Sequence, residues 1–205
     1  MTTRKAKHDT VYSCRAARHP CVRLTREPAT LREVVADYRR FHAPVAKAEI
    51  AFYAGLPYAE AIARATRAER PDGKRHDHQR RISQNAIREV GKALATANFK
   101  GVRSFSVLYQ QLSALTRRVK GIGPLFVYDT AVRIGANRKL HPTTVYVHAG
   151  VKKGVRAVIR GNLRSSVSPT EFPPPLSRCT AAELEDLLCI FGPTLLKMRG
   201  RLRRG

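Results

Sequence analysis

The run Leu115-Thr116-Arg117-Arg118-Val119-Lys120-Gly121-Ile122-Gly123-Pro124 decides how the rest of the chain is read. Before it, Phe105, Leu108, Leu112, Leu115 and Val119 recur at steps of three and four, with Ser104 placed to cap a helix. After it, Pro124 suits the first position of a second helix whose inward set is Leu125, Tyr128, Ala131 and Val132. Two glycines around one aliphatic residue let the backbone reverse sharply and turn amide donors outward, a geometry suited to an anion. The N-terminus of the following helix adds partial positive charge. Arg117, Arg118 and Lys120 crowd the approach.

Working outward, the neighbouring segments also read as helices. Thr30 with Glu33 forms a capping box, and Leu31, Val34, Val35, Tyr38 and Phe41 share one helical face. Pro44 opens a helix that Gly55 is placed to terminate, and Pro57 opens an Ala-rich helix to about Glu69. Pro71-Asp72-Gly73 is a turn. A longer helix is expected from about Arg75 to Ala97, with Ile82, Ala86, Val90, Leu94 and Ala97 on one face. It starts in the basic cluster Lys74 to Arg81, where His76 and His78 would diverge on a helix, leaving phosphate contact or plain solvation.

On the other side, Asn137 to Leu140 reads as loop and Pro142 restarts the chain. Thr144 to His148 suits either a strand, by its alternation, or a short helix; the helical surroundings favour the helix. Val151 to Ile159 is a basic helix carrying Lys152, Lys153 and Arg156. Asn162 to Pro175 reads as loop. Thr180 with Glu183 is a second capping box, opening an acidic helix through Leu184, Leu187, Leu188 and Ile190 that folds back to close the core. The expected architecture is all-α: a compact multi-helix domain over residues 29–195, a basic and partly disordered N-terminal arm over 1–28, and a basic C-terminal tail over 196–205.

Charge narrows the partners. The chain has 39 Lys and Arg against 15 Asp and Glu, a formal +24, and 43% hydrophobic residues suffice for a core. Between Glu89 and Glu171 the only acid is Asp129, while 14 Lys and Arg fall in the same span, so the excess is concentrated and calls for a polyanion. No apolar run approaches the roughly 20 residues of a membrane span. Met1 to Lys5 lacks the apolar core of a secretory signal, so the expected place is a reducing cytoplasm, at the nucleoid in a bacterium. The four cysteines, Cys14, Cys21, Cys179 and Cys189, are too few and too uneven for a disulfide scaffold. Cys14, His19 and Cys21 sit close together, but their spacing is not a usual zinc spacing and only His8 offers a fourth ligand. No metal and no cofactor is therefore expected at these side chains.

Val119 to Pro124, set between two apolar-periodic helices, resembles a helix-hairpin-helix motif over residues 105–136. That resemblance implies backbone amides at Gly121, Ile122, Gly123 and Leu125 holding a DNA phosphate without reading bases, and a monovalent cation at the backbone of Val119 and Gly121. DNA is favoured over RNA, with Lys152, Lys153 and Arg156 adding attraction. A wider likeness to base-excision DNA glycosylases breaks down at their chemistry. The position of their lysine falls on Leu125, that of their catalytic aspartate on Tyr146, and their four-cysteine iron–sulfur loop is absent. The remaining candidates for chemistry are Asp129 and His148, if the fold brings them together. The simpler role for Asp129 is an ion pair orienting Arg133, four residues on. Sequence-independent nucleic-acid binding is thus the leading reading; glycosylase-like base excision and RNA binding are the alternatives.

Overall fold

A computed structural model describes residues 10–11, 23–24 and 27–202. The expected zinc candidates His8, Cys14, His19 and Cys21, most of the N-terminal arm and the last three residues lie outside the described residues.

The chain is mostly helical, as its periodicities predict. Helix α1 (Leu31–Asp37) begins with the capping box: Glu33 N donates to Thr30 Oγ1 at 3.2 Å, and the Glu33 carboxylate accepts from Thr30 N at 3.1 Å. One wide turn over Tyr38–His42 carries it into α2 (Ala43–Gly55), and α3 (Tyr58–Thr66) follows Pro57. Next come α4 (Gln84–Ala95), α5 (Phe105–Thr116) and α6 (Pro124–Asn137), with α7 (Lys152–Val158) and α8 (Ala181–Leu202) completing the order.

Two hydrophobic clusters organise these elements. One joins Val34, Val35 and Tyr38 to Val155, Leu184, Leu188 and Phe191, and so packs α1 and α7 on α8. The other joins Tyr53, Ala61, Val90, Leu108, Leu112, Tyr128 and Ile134, and so packs α2 to α5 around α6. Ten of the fourteen residues of α6 are buried, which makes it the central post of its cluster. The crossing of α7 on α8 is unusually close. A Cβ added to Gly154 would stand 2.5 Å from the Leu188 carbonyl oxygen, and one on Gly192 would stand 3.2 Å from Gly154 N.

Several expectations are corrected. The helix expected from Arg75 starts only at Gln84, where Ser83 Oγ accepts from Ala86 N at 3.1 Å; Asp77–Gln79 is a single short 3-10 turn. The reason is visible in the packing, since Gln79 and His76 are buried polar residues that a helical phase would have turned elsewhere. Val145–Tyr146 is strand β3, not helix, and pairs antiparallel with β4 (Ser166–Val167) inside the segment expected to be loop. A second two-residue pair, Thr10–Val11 with Arg23–Leu24, lies in the arm. Finally, residues 196–202 are not a tail: α8 runs through Pro193 to Leu202. An interior proline costs a helix about 3 kcal/mol. Here Pro193 faces solvent, while Leu195 and Met198 beyond it are buried, each contributing about 1.5–3 kcal/mol by leaving water. Burial outweighs the proline, and the helix continues.

Candidate functional site

The turn between α5 and α6 is built as its glycines require. Val119 N donates to Thr116 O at 2.9 Å and Ile122 N to Val119 O at 3.2 Å, which closes two tight turns in succession. Gly121 has φ +90°, the region that favours glycine, and Gly123 is extended at φ −111° as the residue before α6. No side chain caps α6. The amides of Gly121 and Gly123 have no acceptor among the described residues. Gly121 is exposed, Ile122, Gly123 and Leu125 are half-buried, and Arg117, Arg118 and Lys120 around them are exposed. These three cations have no ion-pair partner among the described residues. Lys152, Lys153 and Arg156 are also exposed, but on α7, in the other hydrophobic cluster.

The second feature is a cleft of about 490 Å³ between the two clusters, bounded by α2, α6 and the first turns of α8. Ala43, Ile50, Val132 and Ala182 supply its apolar walls, and Tyr38, Glu49, Asp129, Arg133, Glu183 and Asp186 its polar ones. Its floor is a buried polar chain. Arg133, 2% exposed, donates from Nε to Glu49 Oε1 at 3.0 Å and from Nη1 to Gln79 Oε1 at 3.4 Å. Gln79 Nε2 then donates to Asp129 Oδ2 at 2.7 Å, and His78 Nε2 lies 2.8 Å from the same oxygen. His76 Nε2 lies 3.0 Å from Glu49 Oε1, within ion-pair range but off hydrogen-bond alignment. Burial holds the His76 ring below its ordinary 6.5, against the pull of Glu49. Around Asp129 and Arg133 the structure therefore links the two residues through Gln79, with Glu49 taking the Arg133 Nε.

His148 is not brought to Asp129. Its Nε2 lies 2.7 Å from Glu185 Oε1, both residues are nearly inaccessible, and Gly150 N donates to its Nδ1 at 3.3 Å. That arrangement leaves the ring proton on Nε2, pointing at the carboxylate. The histidine that does meet Asp129 is His78, 51 positions away, and nothing in the local sequence marks it. Tyr146, at the glycosylase-aspartate position of the resemblance, stacks instead on Tyr109 with ring centroids 4.4 Å apart and meets Tyr128 at 5.8 Å. Glu49 and Gln79 were likewise unmarked; their only signal is polarity at positions that the fold buries.

Among the described residues, no group of three or more His, Cys, Asp or Glu is placed to hold a metal ion, and no helix is long and apolar enough to cross a membrane. The chain matches no protein-family model, no curated protein and no solved structure.

Proposed function

We propose that this protein binds nucleic acid, double-stranded DNA in preference to RNA, by gripping backbone phosphate at a helix-hairpin-helix formed by α5, Arg117 to Gly123 and α6. One observation carries the reading: the Gly121 and Gly123 amides lack an acceptor within the protein and sit among three unpaired cations. Amide donors so placed suit a phosphate oxygen, and the uncapped start of α6 adds favourable potential. Such contacts fix position without reading bases, and the surplus positive charge makes binding steeply salt-dependent. Val119 O already accepts the Ile122 amide, so a monovalent cation bound by Val119 and Gly121 would share that oxygen.

The test is Gly123→Ala. Gly123 is extended, where alanine is unstrained, and nothing lies within 4 Å of the added Cβ. The expected result is a loss of duplex affinity of about tenfold, the size of one charge-assisted hydrogen bond, at unchanged thermal stability. Unchanged affinity would refute the reading. Gly121→Ala is a poorer probe, because φ +90° strains alanine and mixes folding with binding.

A second reading is favoured by the cleft. Asp129 sits buried in an apolar-walled space between the two clusters, fixed by His78 and Gln79. A carboxylate held there is positioned to stabilise positive charge developing on a sugar, which is the chemistry of base excision. On this reading, duplexes carrying a panel of damaged bases yield alkali-labile strand breaks, and Asp129→Asn abolishes them while binding persists. A full panel without product removes the enzyme and leaves the binder.

A further inference from the structure

The basic cluster Lys74 to Arg81 looks in the sequence like a solvated helix start. In the structure it is neither helical nor loosely held. Its backbone is fixed from within: His78 and Gln79 send their side chains inward to Asp129, on the helix that starts at the hairpin. Arg75 clamps the segment's far end, donating from Nη1 to Ile82 O and from Nη2 to Gln84 Oε1, both at 3.1 Å. Arg80 and Arg81 therefore project from a backbone that does not have to be ordered when a ligand arrives.

Two open grooves flank this segment. One, of about 480 Å³, is lined by Arg81, Ser83, Asn85, Lys120 and Gly121, so it adjoins the hairpin itself. The other, of about 400 Å³, is lined by Arg67, Arg75, Arg80 and Gln84. Each groove also has one glutamate, Glu89 in the first and Glu69 in the second. Glu69 is engaged by Arg67 at 2.6 Å, and Arg80 has Asp77 at 2.9 Å, all on the solvent side of the segment. Exposed pairs of that kind are worth little and exchange readily for a better anion. Arg81 and Lys120 have no ion-pair partner among the described residues. Five cations thus line two polar grooves that meet at residues 80–85, and the chain of grooves ends at Gly121.

We propose that this track carries the sugar–phosphate backbone of one DNA strand onward from the hairpin, first between Arg81 and Lys120 and then into the arginine-lined groove. The proposal rests on the hairpin reading for its starting point. The chemistry that fits is a run of phosphates spaced along a strand, because two separate polar grooves with fixed guanidinium groups suit repeated monoanions better than one compact ligand.

The experiment compares the full chain with the triple variant Arg67→Gln, Arg80→Gln, Arg81→Gln. All three side chains are exposed, and Arg75 is left intact because it holds the segment. Binding to a mixed-sequence duplex is measured across a salt series, beside a charge-matched control, Arg32→Gln, Arg39→Gln, Arg40→Gln, on α1 and the wide turn. The track variant is expected to lose at least tenfold in affinity and to flatten the slope of log K against log salt by about 2, at about 0.9 per phosphate released. The control, acting only through screened long-range charge, is expected to stay within about threefold. Equal loss in both triples overturns the track, since any three charges would then serve. Gly123→Ala separates the two claims. If it weakens binding and the track triple does not, the track falls and the hairpin stands. If the reverse holds, the strand lies on the track and the hairpin reading falls. If a structured RNA of equal length outcompetes the duplex on the wild-type chain, the DNA assignment falls.

Discussion

Two pairs of glycines in this chain do opposite work. At the α7–α8 crossing, the space a Cβ would need at Gly154 is already filled by the Leu188 backbone, and Gly192 meets Gly154 from the other side. At the hairpin, neither Gly121 nor Gly123 has any atom within 4 Å of where a Cβ would stand. The first pair is required by packing, and its absent side chains are replaced by protein. The second pair is required by backbone conformation at Gly121 and leaves open space, with amides facing it. A glycine that nothing inside the molecule fills is the kind an external ligand can approach.

The comparison can be broken by alanine. Gly154→Ala is expected to destabilise the fold the most, by about 3 kcal/mol, because a methyl 2.5 Å from a backbone oxygen forces the two helices apart. Denaturant unfolding should show it, and nucleic-acid affinity of the remaining folded protein should be unaltered. Acidification comes next. His76 is held neutral by burial, so its folded pKa lies below the ordinary 6.5. The unfolded chain then binds more protons than the folded one, and stability rises with pH. It should be complete above 6.5 and fall as the pH is lowered beneath it. His76→Gln should shrink that slope in thermal melts taken across the range. At the small end, Gly123→Ala should change stability by less than about 0.5 kcal/mol, the ordinary range for surface substitutions, while carrying the binding effect already described. A Gly123 variant that unfolds, or a Gly154 variant that does not, would dissolve the contrast between the two pairs.

What the sequence made legible were features encoded within a few residues. Both capping boxes form as read: Thr180 N donates to Glu183 Oε2 at 2.9 Å and Glu183 N to Thr180 Oγ1 at 3.2 Å. Ser104 Oγ accepts from Val107 N at 3.3 Å, and Pro124 opens α6. The misses came where distant contacts decided. A two-residue strand has almost no local signal, so Val145–Tyr146 shows itself only through its pairing with Ser166–Val167. Pro193 reads locally as a stop, and only the burial of Leu195 and Met198 reveals why it is not one. The cleft was the least legible of all. Glu49, Gln79, Asp129 and Arg133 come from four places in the chain, and each looks like an ordinary surface residue until the clusters close around it.

The burial of α6 has a consequence for how this protein can change over time. Ten of its fourteen residues have no room for a different side chain, and two of the buried ones, Asp129 and Arg133, are tied to other segments. The seven residues just ahead of it, Arg117 to Gly123, are exposed or half-buried and make few commitments to the interior. Inherited variation should therefore collect in the turn and be weeded from the helix. A descendant with altered partners would acquire them by rewriting those seven positions upon an unaltered post.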